Sequence, residues 1–136
     1  MLDLSNEKHA HIDERLRSNV ILWLSSVKPD GTPHIVPVWF LWDGDTILIF
    51  SKPDQKIRNL RQNRAVMVAL DDSKDGDDPI MLAGEATLLP RDEATAADPA
   101  YVAKYKSQLD SYNWTGESMS KEYSEPISIR PTRVFA

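Results

Sequence analysis

The stretch that decides the fold runs from Leu24 to Phe40 and reads LSSVKPDGTPHIVPVWF. Two runs rich in β-branched and aromatic residues flank a short polar turn. Within that turn, Pro29 fixes its own φ angle, and Gly31 accepts the positive φ that a tight hairpin requires. The pattern predicts two neighbouring antiparallel strands joined by a hairpin.

Further turns and periodic segments extend this hairpin in both directions. Asp43-Gly44-Asp45 is a second hairpin signal, and Ser5 is the expected N-cap of a first helix. The first strand is apolar on both faces, which predicts an interior position. We expect helices over 5–17, 54–63 and within 91–112, and strands over 20–27, 34–42, 46–51, 65–70, 80–89 and 127–135. This order lacks βαβ alternation and predicts a small closed barrel of five or six mostly antiparallel strands.

Composition and charge limit the classes of function. The chain has 136 residues, of which 41% are hydrophobic and 27% charged, as expected for one globular domain over 1–136. A formal net charge of -5 argues against a nucleic-acid partner. Without cysteine there is no disulfide, thiolate nucleophile or thiol zinc site. The N-terminal segment has no run long enough for a signal peptide or membrane span, so we expect a cytoplasmic protein.

A basic cluster follows the predicted strand that ends at Ser51. Five cations face a single acid, Asp54, and they are Lys52, Lys56, Arg58, Arg61 and Arg64. Hydroxyl, ammonium and backbone N–H donors at the first turn of a helix can together bind one anion, such as a phosphate group. The alternative is a solvated helix face without a ligand. The irregular strand that precedes the cluster favours the phosphate site.

That irregular strand contains Pro37, which has no backbone N–H to donate. A neighbouring carbonyl is then left without its partner, and the backbone is open to the edge of a planar ligand. Val36, Val38 and Trp39 would line the ring of such a ligand. The alternative is a structural barrel corner at a bulge or strand margin, with Trp39 and Trp42 in the core.

Two weak metal signals do not predict a metal site. The acidic loop over 71–78 matches the first half of a calcium-binding EF-hand loop, but Leu82 stands where the bidentate glutamate is required. His9 and His11 are two residues apart on a predicted helix, where their side chains point away from each other. We therefore expect no metal ion.

Several motifs stand in the same order and spacing as in a known family. They are the stretch 24–40, Trp42-Asp43-Gly44-Asp45, Phe50-Ser51, Lys56-Ile57-Arg58-Asn59-Leu60, Gly84-Glu85-Ala86, and Ile129-Arg130-Pro131-Thr132-Arg133-Val134. Together they resemble the pyridoxamine 5'-phosphate oxidase-like split-barrel family, and in particular its small deazaflavin-dependent branch. The resemblance covers nearly the whole chain.

The resemblance implies a homodimeric, antiparallel split β-barrel with FMN or the deazaflavin coenzyme F-420 bound at the dimer interface. The strand matching 36–39 would flank the ring, Ser51 and Lys56 would hold the phosphate, and Arg58 and Asn59 are further candidates. The cofactor-binding residues expected on this basis are Val36, Pro37, Val38, Trp39, Ser51, Lys56, Arg58 and Asn59. Gln55 precedes Lys56 where the resemblance to the pyridoxamine phosphate oxidases would require an Arg-Lys pair, which argues against their substrate. The tail of deazaflavin adds carboxylates beyond the phosphate, and Arg58, Arg61 and Arg64 would offset that charge, which favours deazaflavin over FMN.

These observations lead to two hypotheses of function. The first is an oxidoreductase that transfers a hydride between bound F-420 or FMN and a small organic substrate, with no catalytic side chain identified. The second is a non-catalytic carrier or sensor of the cofactor or of a tetrapyrrole. Both are expected to be dimeric, because Trp23, Trp39, Trp42 and Trp114 provide more aromatic surface than a small barrel readily hides.

Overall fold

A computed structural model describes residues 2–135 of the chain. That part of the chain forms five helices and seven strands. In chain order they are α1 (Glu7–Ser18), β1 (Ile21–Val27), β2 (Pro33–Trp39), β3 (Leu41–Trp42), β4 (Ile47–Ser51), α2 (Gln55–Gln62), β5 (Ala65–Leu70), β6 (Ile80–Leu88), α3 (Pro99–Lys104), α4 (Lys106–Ser111), α5 (Gly116–Glu122) and β7 (Glu125–Phe135).

All seven strands form one antiparallel sheet in the order β2-β1-β5-β6-β7-β4-β3. Its two outermost strands, β2 and β3, are separated in sequence by Phe40 alone. A flat seven-stranded sheet would hold these edges about 29 Å apart, whereas a two-residue step spans at most about 7 Å. The sheet therefore curls until its edges meet. The antiparallel split-barrel fold is confirmed, with seven strands where five or six were expected.

The predicted strand over 34–42 was wrong at one point, because it is interrupted at Phe40. The Phe40 side chain is fully buried, and its peptide groups bond to side chains of the helical segment. Its N–H donates to Tyr105 Oη at 2.8 Å, and its carbonyl accepts from Lys104 Nζ at 2.7 Å. These side chains satisfy the backbone groups at the seam between β2 and β3.

Pro37 lies on an edge strand and not at a bulge. The seven pairs from Ile21↔Trp39 to Val27↔Pro33 run without a register shift. An edge strand tolerates proline, because one of its sides needs no N–H donor. The sheet has its register shift elsewhere, between Ala83 and Gly84.

The helices agree with the predictions in the first half of the chain and differ in the second. Helix α2 begins and ends within one residue of its predicted bounds, whereas α1 is capped by Asn6 and not by Ser5. In the helical region predicted within 91–112, the first helix begins only at Pro99, which Asp98 caps, and a second helix follows it after Tyr105. Helix α5, which Thr115 caps, was not predicted.

Two apolar clusters stabilise the fold. The larger one lies between the concave face of the sheet and helices α1 and α2. The smaller one packs Phe50 and the helical segment around Tyr101 and Tyr105. Strand β1 is interior in the sheet as predicted, but only one of its faces is buried: Leu22 is fully buried while Trp23 is 44% exposed. None of the helices in residues 2–135 is long and apolar enough to cross a membrane.

Candidate functional site

A cavity of about 400 Å³ opens between the end of β2 and the segment that leads into and out of α5. Its volume falls in the range of small-molecule sites. Ten residues line it: Ile21, Pro37, Val38, Trp39, Phe50, Lys56, Tyr112, Trp114, Met119 and Tyr123. Nine of these are apolar or aromatic, and Lys56 carries the charge. Such a lining suits a flat, largely apolar ligand with one anionic group.

Trp39 forms one wall of the cavity. Its indole stacks on the ring of Tyr105, with ring centroids 4.5 Å apart and planes within 5° of parallel. The Tyr105 hydroxyl accepts the Phe40 N–H and donates toward the carbonyl of Val20 at 2.6 Å. Burial raises the pKa of the Tyr105 hydroxyl, which keeps it protonated and able to donate. The hydrogen-bonded side chain of Tyr105 thus holds the Trp39 indole in position.

Three further aromatic rings border the cavity on the side of α5. Trp114 lies between Tyr112 and Tyr123, with ring centroids 5.2 and 6.0 Å away respectively. Asn113 has a φ of 56°, a left-handed conformation that asparagine tolerates better than most residues. This turn between α4 and α5 lets Tyr112 and Trp114 approach each other. The cavity is therefore bordered by aromatic side chains from both the sheet and the helical segment.

Lys56 provides the positive charge from the first turn of α2. The residue is 9% exposed, and its Nζ lies 2.6 Å from Asp54 Oδ2. Asp54 is also the N-cap of α2, with Oδ1 accepting from the backbone N–H of Lys56 at 3.3 Å. The cation of the cavity is thus already part of an ion pair.

The structure brings four of the eight predicted site residues together at this cavity: Pro37, Val38, Trp39 and Lys56. Val36 is half-buried and is not among the lining residues. Ser51 is buried behind Asp54, and its hydroxyl donates to the Lys52 carbonyl at 2.6 Å. Of the predicted phosphate ligands, only Lys56 reaches the cavity.

Arg58 and Asn59 lie outside the lining for different reasons. Arg58 is exposed, and its Nη2 donates to Gln55 Oε1 at 2.9 Å. Asn59 is fully buried, donates to Ser26 Oγ at 3.0 Å and accepts from Gln55 at 2.7 Å. Asn59 therefore connects α2 to β1 through hydrogen bonds that occupy its amide.

The expected convergence of five cations is not what the structure shows. Lys52 lies 3.8 Å from Glu122, and Arg64 donates to the carbonyl of Ala86 at 3.0 Å. Neither lines the cavity. The net charge of the segment therefore overstates the positive charge that a ligand would meet.

Six lining residues were not predicted: Ile21, Phe50, Tyr112, Trp114, Met119 and Tyr123. Three aromatic residues within a dozen positions, at 112, 114 and 123, were the available signal. The position of these side chains at the cavity depends on α5, a helix that the sequence did not predict. No group of three or more metal-ligating side chains is arranged to hold a metal ion among residues 2–135.

An exposed apolar surface adjoins the cavity. It is formed by Ile21 and Trp23 on β1, Ile35 on β2 and Met67 on β5, whose side chains are between 39% and 60% exposed. The strand register places them next to each other, with Ser25 opposite both Ile35 and Met67. We call this surface the outer apolar face. Ile21 belongs both to it and to the cavity lining.

Comparison with known proteins assigns the family. A family model described as pyridoxamine 5'-phosphate oxidase matches residues 9–136. The chain belongs to this family. A sequence search of curated proteins gives no match. The family and its structural neighbours support a flavin- or ligand-binding protein.

Solved structures of other proteins share this fold. An F-420 reductase is 25% identical with a TM-score of 0.68, over 90% of this chain and 94% of that one. A putative pyridoxamine 5'-phosphate oxidase from Listeria innocua is 25% identical with a TM-score of 0.65, over 95% and 94% of the two chains. The heme storage protein HutZ from Vibrio cholerae, at 15% identity and a TM-score of 0.67 over 93% and 92%, shares the fold.

Proposed function

We propose that this family member is an oxidoreductase that binds F-420 or FMN in the cavity and transfers a hydride between that cofactor and a small organic substrate. The observation that carries the proposal is an aromatic cavity with one buried ammonium, that of Lys56. A structural neighbour at 25% identity described as an F-420 reductase supports the same class of cofactor.

The side chains of the cavity fit a phosphorylated planar ring. Trp39 and Val38 offer flat and apolar surface for the ring, and stacking on an aromatic side chain contributes about 0.5–1.5 kcal/mol beyond burial. Lys56 provides a charge-assisted donor for a phosphate group. Met119 and Phe50 add apolar surface to the lining. A bound flavin or deazaflavin would supply the hydride chemistry itself.

The proposal includes a homodimer formed through the outer apolar face. Ile35 is 60% and Trp23 44% exposed, although large apolar side chains favour burial. A second copy of the chain would cover this face. Because Ile21 belongs to both the face and the cavity, the partner would also help to enclose the ligand.

A titration of the wild-type protein with FMN and with F-420, followed by fluorescence, tests the proposal. We expect one of them to bind, and Lys56→Met to weaken that binding by roughly 10- to 150-fold, because a hydrogen bond to a charged group contributes about 1.5–3 kcal/mol. Riboflavin, which lacks the phosphate, should bind both proteins equally. Arg58→Met is the matched control, since Arg58 is exposed on the same helix outside the cavity. Absence of binding by both cofactors would refute the proposal.

A non-catalytic carrier is the second candidate. The observation that favours it is the scarcity of acid–base groups in the lining, which offers only Lys56 and the hydroxyls of Tyr112 and Tyr123. Hydride transfer itself needs no such group, but protonation of a substrate during turnover would use one, whereas a carrier would not. The two are separated by a turnover assay with reduced cofactor and a panel of electron acceptors. Oxidation of bound cofactor by any acceptor in the panel supports the enzyme, whereas stable reduced cofactor supports the carrier.

A further inference from the structure

The charge of the cavity is already partly neutralised by the chain itself. Lys56 Nζ is 2.6 Å from Asp54 Oδ2, and the Lys56 side chain is only 11% exposed while that of Asp54 is 43% exposed. Lys56 thus lines the cavity while its ammonium is bound by a more exposed carboxylate that is not itself a lining residue. An anionic ligand group would meet a paired ammonium and not a free one.

Asp54 is fixed in this position by the backbone. Its Oδ1 accepts from the N–H of Lys56 at 3.3 Å and lies 3.3 Å from Ser51 Oγ, as the N-cap of α2. The other oxygen, Oδ2, binds the ammonium. These N-cap contacts hold the carboxylate beside the ammonium of Lys56.

Neighbouring cations do not offset this acid at the cavity. Arg58 donates to Gln55, and Lys52 lies 3.8 Å from Glu122. Neither is a lining residue. Among the lining residues, Lys56 is therefore the only cation, and Asp54 is the carboxylate that binds it.

We propose that Asp54 is a positioning residue that limits the affinity of the cavity for the anionic group of its ligand, by holding the ammonium of Lys56. The inference rests on the proposed function, because it assumes that a phosphorylated ligand occupies this cavity. An ammonium has three N–H donors, so it can bind both groups at once. The carboxylate still takes one donor and repels a phosphate dianion at close range. Binding of the phosphate is consequently weaker than a free buried lysine would allow.

The test substitutes Asp54→Asn and compares FMN with riboflavin. Asparagine is as good an N-cap as aspartate, so helix α2 and the fold are retained while the charge is removed. We expect FMN to bind about five- to twentyfold more tightly, a modest gain because the Asp54 side chain is 43% exposed and solvent screens its charge. Riboflavin has no phosphate, and its affinity should not change. The ratio of the two affinities is a readout that a purely structural effect would not move.

Three controls make the outcome decisive. Asp30→Asn removes one negative charge from the exposed β1–β2 turn, where Asp30 accepts from Thr32, and should leave the ratio unchanged. Asp54→Ser, a second neutral N-cap, should reproduce the gain of Asp54→Asn. In a Lys56→Met background, Asp54→Asn should increase the affinity for FMN by a smaller factor, because no ammonium remains to be released from the carboxylate.

The outcomes separate this inference from the proposed function. If the wild-type protein binds FMN and Asp54→Asn does not increase that affinity, the proposed role of Asp54 is wrong and the cofactor proposal stands. The same conclusion follows if Asp54→Asn increases the affinities for FMN and riboflavin by the same factor. An undiminished gain in the Lys56→Met background would show simple repulsion and overturn the positioning role. If no variant binds FMN or F-420, both ideas fail.

Discussion

Tyr105 connects three parts of the molecule through one side chain. Its ring supports Trp39, its hydroxyl accepts the Phe40 N–H, and the same hydroxyl lies within 2.6 Å of the Val20 carbonyl. The neighbouring residue, Lys104, donates to the Phe40 carbonyl. Burial lowers the pKa of Lys104 to about 8, because desolvation disfavours the charged ammonium. Lys104 and Tyr105 therefore stabilise both the junction between β2 and β3 and the position of Trp39 in the cavity lining.

Removal of the Tyr105 hydroxyl should destabilise the fold. In Tyr105→Phe the buried Phe40 N–H loses its acceptor, which costs about 1–3 kcal/mol of unfolding free energy. Urea unfolding measures this difference. The matched control is Tyr101→Phe, because the hydroxyl of Tyr101 is buried without a hydrogen-bond partner in the described structure. That variant should be as stable as wild type or slightly more so, and equal losses in the two variants would contradict the role of Tyr105.

Helix α5 brings Met119 and Tyr123 to the cavity, and its first residue leaves no room for a side chain. A Cβ on Gly116 would lie 2.7 Å from both the Ala96 carbonyl oxygen and Val102 Cγ2. Close packing at Gly116 fixes the start of α5 and therefore the positions of Met119 and Tyr123 at the cavity.

Gly116→Ala should displace α5 and weaken ligand binding together with stability. Backbone atoms cannot give way cheaply, so we expect a loss of about 1–3 kcal/mol in unfolding free energy, typical of overpacking. Thermal unfolding and the FMN titration measure the two effects. Glu117→Ala, an exposed change in the same helical turn, serves as the control and should lower stability by less than about 1 kcal/mol. A Gly116→Ala protein with unchanged stability would disprove the close contact.

The sequence predicted best those elements whose signals are local. Asp54 as a cap and the apolar spacing of Ile57 and Leu60 define α2, and the short apolar run over 65–70 predicts β5. Helix α5 has a polar sequence around one buried methionine, and its position depends on packing against Ala96 and Val102. Contacts between distant segments of this kind leave no periodic signal.

The residues of the candidate site were likewise predicted where their sequence signals are local. Pro37, Val38, Trp39 and Lys56 were predicted from nearby motifs and lie at the cavity. Ser51, Arg58 and Asn59 belong to the same motifs, but their hydrogen bonds are made to other parts of the chain. A list of cations in a sequence does not say which of them are already paired. The lining residues on the α5 side of the cavity could be identified only from the tertiary structure.

At the scale of the whole molecule, the outer apolar face predicts self-association. Trp23→Glu places a charge at the centre of this face, and we expect it to convert a dimer into a monomer at micromolar concentration, as measured by light scattering. Leu4→Ser is the control, because Leu4 is 58% exposed but lies outside the face. It should remain dimeric. A wild-type monomer would refute the proposed interface.

The order of strands also bears on how the protein is made. Strand β7 pairs with β6 on one side and with β4 on the other, so the β3–β4 hairpin joins the rest of the sheet through Glu125–Phe135. Ribosomes deliver a chain from its N-terminus, and β7 is therefore the last strand to emerge. Until then, β4 and β6 each expose an unsatisfied strand edge, which favours association with other nascent chains. We expect slow release or premature truncation near residue 125 to yield insoluble protein.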